Sequence, residues 1–283
     1  MLSTSNLKAL IAPVAIDMPG TTSGRLAPLL APPVDITVPE GAREQADCLL
    51  ASAAVESVET HEVDFGNPCA TYHQVELTLT DGFKVSARLI EPQGICRPRA
   101  EVPLVLMLHD AGRPVRGWHH MTRFAAIGCA VLALDGGEHA SENAEAAFSS
   151  LIVPALALVR VGSELPGIDP ARVYTWGEGL GGALALAVAA IMPDRIARCA
   201  ACNPMPLDFT RGSSAVNLVA WAPRVQCAVL LGTGLRDEVA PTEACIGFAH
   251  RTGGDTQLIA YPEHAHERIN EFENKVLSFL ASE

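Results

Sequence analysis

Six residues near the middle of the chain form a glycine-rich turn between an apolar run and a helical stretch. The run Arg172–Trp176 leads into Gly-Glu-Gly-Leu-Gly-Gly at 177–182, and a stretch rich in Ala and Leu follows. Backbone N–H groups in the first turn of such a helix have no partner within the helix, so they can bind an anion or an oxyanion. The turn is therefore the first candidate for a functional site.

One interpretation of this turn is a nucleotide-binding loop. Gly177-x-Gly179-x-x-Gly182 matches the G-x-G-x-x-G fingerprint of dinucleotide-binding proteins and predicts an NAD(P)-binding oxidoreductase. That fingerprint usually opens a nucleotide-binding domain, whereas several predicted strands precede it here. No Asp or Glu lies near Cys202 and Asn203, where a residue that binds the ribose is expected. We keep this interpretation as the alternative.

A second interpretation is a nucleophile elbow, G-x-S-x-G, in which Gly179 occupies the central position. An Asp and a His follow in the chain order of an α/β-hydrolase triad. Asp237 comes after one apolar run, and His264 and His266 come after the next. Because the carboxyl ends of parallel strands meet at one edge of a sheet, we expect these side chains to lie beside the elbow.

Alternating elements must position these residues. The predicted strands after residue 100 are Val102–Leu108, Cys129–Leu134, Arg172–Trp176, Ala197–Cys202, Val225–Leu231 and Gln257–Ala260. The predicted helices are about Val115–Ala126, Glu142–Val161, Leu180–Ile191, Pro241–Arg251 and His266–Leu280. Runs that are apolar throughout suit strands covered on both faces, so the pattern predicts an α/β fold with a mostly parallel, doubly wound sheet.

The first hundred residues have other patterns. Residues 1–35 are rich in Pro, Gly, Ser and Thr and predict an irregular N-terminal arm, which leaves 36–283 as a single domain. Pro39–Glu59 has a helical pattern. Alternating apolar residues in Tyr72–Thr80 and Phe83–Ile90, joined by an Asp-Gly turn, predict an antiparallel hairpin that leads the sheet.

Composition excludes several classes of protein. Of 283 residues, 49% are hydrophobic and 18% are charged, which excludes a disordered chain. A net charge of −12 without a Lys/Arg cluster argues against nucleic-acid binding. No apolar run reaches the roughly 18 residues of a membrane span, and no clear signal peptide begins the chain, so we expect a cytoplasmic protein without membrane contact.

Cysteine and histidine spacing gives no metal or redox site. The pair Cys199 and Cys202 lies in a predicted strand, where residues three apart point to opposite faces, so buried thiols are expected. The spacing of His264 and His266 matches no strong metal motif, and His119-His120 is expected on a helix surface. We therefore expect neither a metal nor a cofactor.

The motifs together resemble the acetyl xylan esterase and cephalosporin-C deacetylase family of α/β-hydrolases, and more distantly the dienelactone hydrolases. The matching segments are residues 177–182, Pro206-Leu-Asp-Phe209, Asp237-Glu-Val-Ala-Pro241 and Ala265-His-Glu267. The resemblance runs from about residue 35 to the end. It implies an α/β-hydrolase fold, a small acyl (acetyl) ester or related carbonyl compound as ligand, and a homo-oligomer.

The resemblance also implies roles for particular residues. Gly179 stands at the nucleophile position, and Leu180 follows it in the oxyanion pocket. Asp237 would orient His266, which is favoured over His264 because Glu267 follows it. With no side chain at Gly179, hydrolysis through an acyl-enzyme is expected to be lost, at a cost on the order of a million-fold in turnover for a triad that lacks its serine.

Other departures from the family add carboxylates. His109-Asp110-Ala111 stands where the family has His-Gly-Tyr, so Asp110 and Ala111 are expected in the pocket. Asp135-Gly-Gly-Glu138 stands where the family has Arg-Gly-Gln, which adds Glu138, and Glu178 precedes the elbow centre. With a histidine, such carboxylates predict non-covalent acid–base chemistry. A protein that only binds a partner, without catalysis, is the remaining interpretation.

Overall fold

One ten-stranded sheet organises the described part of the chain. The computed structural model describes residues 7–11, 40–97, 100–110, 117–135, 143–207 and 218–282. The strands are β1 (Leu7–Ile11), β2 (Val55–Glu62), β3 (Ala70–Leu79), β4 (Lys84–Pro92), β5 (Val102–Leu108), β6 (Ala130–Asp135), β7 (Ile168–Glu178), β8 (Ile196–Cys202), β9 (Ala228–Gly234) and β10 (Thr256–Tyr261). Their order across the sheet is β1-β10-β9-β8-β7-β5-β6-β4-β3-β2.

The sheet divides into a parallel part and an antiparallel part. Strands β1, β10, β9, β8, β7, β5 and β6 pair in parallel, and β6, β4, β3 and β2 pair antiparallel. The parallel strands are buried on both faces, as in β5, where Leu104 and Leu106 on one face and Val105 and Met107 on the other are at most 1% exposed. The mostly parallel α/β sheet led by a hairpin is therefore confirmed.

Helices cover both faces of the sheet. They are α1 (Ala42–Ser52), α2 (Trp118–Ala126), α3 (Ala144–Ser163), α4 (Leu180–Ile191), α5 (Leu218–Trp221), α6 (Thr242–Ala249) and α7 (Asn270–Ala281). One buried cluster packs α1, α3 and α4 against the sheet, and a second packs α2 and α7 against the opposite face. This is the layering that doubly covered strands require.

Helix α3 is long and apolar enough to cross a membrane by length and composition alone. Asn143 begins it by accepting hydrogen bonds from the backbone N–H groups of Glu145 and Ala146. Of its most apolar stretch, 67% is buried inside the fold. The burial matches the role of a core helix packed on the central strands.

Two segments of the chain and one side chain differ from the sequence predictions. Leu7–Ile11, expected in an irregular arm, pairs in parallel with β10, since the edge of that strand offers unpaired backbone groups. The helix predicted for Pro39–Glu59 ends at Ser52, and Val55–Glu62 is an edge strand beside β3. His120 was expected on a helix surface but contacts the buried Glu273 of α7, with 2.6 Å between Nε2 and Oε1.

The C-x-x-C pair behaves as predicted. Cys199 and Cys202 lie in β8, are at most 1% exposed, and are free thiols. Burial raises the pKa of both thiols well above the usual value, so they remain protonated. These cysteines contribute to the core.

Candidate active site

The glycine-rich turn forms a sharp elbow between β7 and α4. Gly179 joins the two with φ 53° and ψ −119°, in a region that residues with side chains rarely adopt. A Cβ on Gly181 would collide with the backbone of Leu108 and His109, so this glycine allows the helix to pack directly on β5. The local backbone is therefore that of a nucleophile elbow, with a glycine at its apex.

Asp110, two residues beyond β5, occupies the space in front of the elbow. Its Oδ1 accepts a hydrogen bond from the backbone N–H of Leu180 at 3.0 Å, and its side chain is only 7% exposed. A Cβ on Gly179 would lie 2.8 Å from Asp110 Oδ2 and closer still to Cγ and Oδ1. The carboxylate thus stands where a side chain of residue 179 would project.

His266 lies between two carboxylates. Its Nδ1 is 2.8 Å from Oδ2 of Asp237, and its Nε2 is 3.4 Å from Oδ2 of Asp110. The other oxygen of Asp237 accepts hydrogen bonds from the backbone N–H groups of Val239 and Ala240, at 2.8 and 2.7 Å. These bonds fix the Asp237 carboxylate, which in turn orients the imidazole.

Both carboxylates stabilise the charged form of His266. Its pKa is raised above the ordinary value of 6.5, chiefly by Asp110 and also by Asp237, while partial burial acts in the opposite direction. The ring is 17% exposed and the Asp237 side chain is fully buried, so water screens the Asp237 pair weakly. The resting site therefore favours an imidazolium between two carboxylates.

Two of the other predicted residues lie close by but have different partners. His264 pairs with Glu267, with 3.0 Å between Nδ1 and Oε1, and it is His266 that reaches Asp237. Glu178 ends β7, is 12% exposed in its side chain, and lies 3.7 Å from Nε of Arg268. Glu178 is not among the groups that raise the pKa of His266.

Ala111 and Glu138, both predicted in the pocket, lie outside the described residues. The same holds for Asp208 and Phe209 of the Pro206 segment. Of the predicted site residues, the structure brings together Asp110, Gly179, Leu180, Asp237 and His266.

Asn203 belongs to this site, although sequence reasoning did not identify it. It follows β8, is 3% exposed, and has φ 45°, the only positive value among the described residues other than glycine. Its Oδ1 accepts from Gly234 N–H at 2.8 Å, and its Nδ2 donates to the carbonyls of Ala265 and Glu267, both at 3.2 Å. Asn203 therefore ties together the loops that carry Asp237 and His266.

One feature of the sequence could have pointed to Asn203 as a site residue, namely its position directly after an apolar strand. Only Asn, Asp and Gly adopt positive φ readily, and a buried amide needs several partners. Its partners lie 31 to 64 residues away in the chain, so no local pattern identifies them.

The arrangement supports acid–base chemistry and argues against a nucleotide site. A carboxylate and an imidazolium face each other at the N-terminus of α4, whose backbone favours negative charge. A pyrophosphate would need that same N–H of Leu180 and would be repelled by Asp110. The described residues contain no group of three or more side chains suited to hold a metal ion.

Comparisons with known proteins agree with this fold. The sequence model of the acetyl xylan esterase (AXE1) family matches residues 139–220. No curated protein matches the sequence.

Among solved structures, acetyl xylan esterase 1 from Thermoanaerobacterium sp. JW/SL YS485 is 19% identical with a TM-score of 0.75, and the acetyl xylan esterase from Paenibacillus sp. R4 is 17% identical with a TM-score of 0.77. Each comparison covers 90% of this chain and 98% of the other. Est1E from Butyrivibrio proteoclasticus is 18% identical with a TM-score of 0.57, over 78% of this chain and 96% of Est1E.

Proposed function

Starting from a chain that has the α/β-hydrolase fold and is similar to acetyl xylan esterases over residues 139–220, we propose that its site acts on a small acyl ester or related carbonyl compound without an acyl-enzyme. The observation that carries this proposal is the position of Asp110. Its carboxylate occupies the space in front of Gly179 that a nucleophilic side chain would need.

The proposed chemistry uses water directly. The ester carbonyl replaces Asp110 Oδ1 at the backbone N–H of Leu180, which polarises the carbonyl at the positive end of α4. Asp110, displaced toward the substrate, accepts a proton from the attacking water. His266, whose protonated form the two carboxylates favour, donates a proton to the departing alcohol, while Asp237 holds the ring in place.

Hydrolysis of p-nitrophenyl acetate tests this proposal. We expect slow steady release of p-nitrophenol without a burst, because no acyl-enzyme accumulates. Asp110→Asn and His266→Gln each remove one proton-transfer group and should lower the rate by on the order of 10²- to 10⁴-fold.

His264→Gln is the matched control. His264 pairs with Glu267 and with none of the three side chains of the proposed mechanism, which are Asp110, Asp237 and His266. This variant should leave the rate unchanged. A burst in the native protein, or full activity in both Asp110→Asn and His266→Gln, would contradict the proposal.

A further inference from the structure

We propose that Asp110 is also a covalent nucleophile toward epoxides and that the site hydrolyses an epoxide to a diol. This activity goes beyond the ester chemistry proposed above, although it uses the same three side chains. It rests on the different contacts that the two oxygen atoms of the Asp110 carboxylate make.

The two oxygens of Asp110 are in different environments. Oδ1 is held by the N–H of Leu180, whereas Oδ2 faces Nε2 of His266 at 3.4 Å. His266 is oriented on its far side by Asp237. Asp110, His266 and Asp237 therefore form the order of nucleophile, base and orienting group that characterises covalent catalysis. The side chain at the elbow is supplied by residue 110 instead of residue 179.

The chemistry of a carboxylate determines which electrophile it can use. Attack on an ester would give a mixed anhydride, which returns to the ester because a carboxylate leaves more easily than an alkoxide. Attack on a saturated carbon gives an ordinary ester, which can persist until water cleaves it. An epoxide supplies such a carbon, with ring strain to drive the opening.

An epoxide also needs a proton for the oxygen that departs, and the site holds one. The two carboxylates, 3.4 Å and 2.8 Å from the ring nitrogens, favour the protonated form of His266 and raise its pKa. A neutral histidine in this position would leave an alkoxide without a proton, so the charge of His266 favours an epoxide over an electrophile whose leaving group is a stable anion.

In the first step Oδ2 of Asp110 forms a bond to an epoxide carbon, and the bond from that carbon to the epoxide oxygen breaks. The oxygen keeps the electron pair and takes a proton from His266. The products are a hydroxyalkyl ester of Asp110 and a neutral imidazole. Since Asp110 has lost its negative charge, the largest influence that raised the pKa of His266 is removed.

In the second step neutral His266 accepts a proton from water, and the oxygen of that water attacks Cγ of Asp110. Negative charge develops on Oδ1, which the N–H of Leu180 already contacts. The ester bond breaks, the departing diol oxygen takes the proton back from His266, and the acid proton of Asp110 returns to His266. Epoxide and water have become a diol, and the site is restored.

Styrene oxide is the probe for this reaction, and mass spectrometry of the whole protein is the readout. In His266→Gln the ring should open more slowly, with bulk water as the proton source, because the proton donor of the first step is missing. The adduct should then accumulate as a protein heavier by one styrene oxide, located by peptide mapping at Asp110, because the base for the second step is missing as well. Asp110→Asn should acquire no such mass. Asp194→Asn, which removes an exposed carboxylate after the far end of α4, should behave as the native protein does.

A measurement on the native protein needs no variant. During turnover in ¹⁸O-labelled water, the Asp110 carboxylate should gain the label, because its own oxygen leaves with the diol of the first turnover. Label in the diol alone, or an adduct that persists in Asp110→Asn, would overturn the proposal. So would the absence of both diol and adduct. The p-nitrophenyl acetate assay is independent of these readouts, so failure of the ester proposal is distinguishable from failure of this one.

Discussion

Two clusters in this protein combine a histidine with a buried carboxylate, and they differ in charge balance. At the carboxyl edge of the sheet, His266 faces Asp110 and Asp237. Between α2 and α7, the fully buried Glu273 contacts both His120 and Arg123, with 3.1 Å to the guanidinium. The first cluster has two carboxylates around one imidazole. The second has one imidazole and one guanidinium around a single carboxylate.

This difference separates a reactive arrangement from a structural one. The Arg123 guanidinium gives Glu273 a permanent positive partner, because arginine does not lose its proton in proteins. In the first cluster the positive charge depends on protonation of His266 alone, so a proton can move. The two clusters also differ in location. The cluster of His266 lies at the carboxyl ends of the strands beside the elbow, whereas the cluster of Glu273 connects helices α2 and α7.

The largest effect is expected when Gly179 and Asp110, the residue in front of it, are substituted together. Gly179→Ser alone should stay nearly inactive, because Asp110 occupies the space that the serine needs. Gly179→Ser with Asp110→Gly should gain p-nitrophenyl acetate hydrolysis with a burst, by up to several orders of magnitude on the scale known for triads. Equal activity of the single and double variants would show that Asp110 does not block the elbow.

Asn203 should be the next most sensitive position. Asn203→Gly keeps the backbone conformation but removes three hydrogen bonds, which we expect to cost about 2–3 kcal/mol of unfolding free energy. Asn203→Ala adds about 1 kcal/mol of strain at positive φ. Urea denaturation measures both. If the ring is positioned through Asn203, both variants should also shift the NMR titration of His266, and an unchanged titration would contradict that role.

Loss of the structural cluster should affect stability and leave chemistry intact. Glu273→Ala removes the acid shared by His120 and Arg123 and should lower the unfolding free energy by about 1–3 kcal/mol, since Arg123 is partly exposed and can regain water. Hydrolysis of p-nitrophenyl acetate should not change. A comparable loss of activity would place this cluster in the catalytic apparatus.

The smallest effect should be the pH dependence of stability. His266 has a higher pKa in the folded protein than its ordinary 6.5, so protonation stabilises the fold. That contribution is complete below the ordinary pKa and disappears as pH rises through the raised pKa of the folded state. Asp110→Asn should bring the pKa of His266 down and flatten the decline, measured by NMR and by urea denaturation across this range.

Much of the fold follows from local patterns. The limits of Val102–Leu108 and Leu180–Ile191 agree with the structure residue for residue, because both contain only apolar residues, proline or glycine. Glu101 and His109 bound the strand, while Gly179 precedes the helix and Pro193 follows soon after it. The helix prediction was wrong for the residues at the start of Val55–Glu62, because the charged residues there resemble the exposed face of a helix. The conformation of this segment depends instead on its pairing with β3. The prediction of an irregular arm was wrong for Leu7–Ile11, because the strand also depends on a distant partner. That partner, β10, lies about 250 residues later in the chain.

Local sequence patterns were enough to predict the elbow, the order of Asp237 and His266 behind it, and a residue without a side chain at position 179. Only the tertiary contacts revealed that Asp110 fills the space in front of Gly179 and that Asn203 joins the loops of Asp237 and His266. The physical reason is distance along the chain. The bond from Leu180 to Asp110 spans 70 residues, and its formation depends on the path of the chain after β5, which no local pattern encodes.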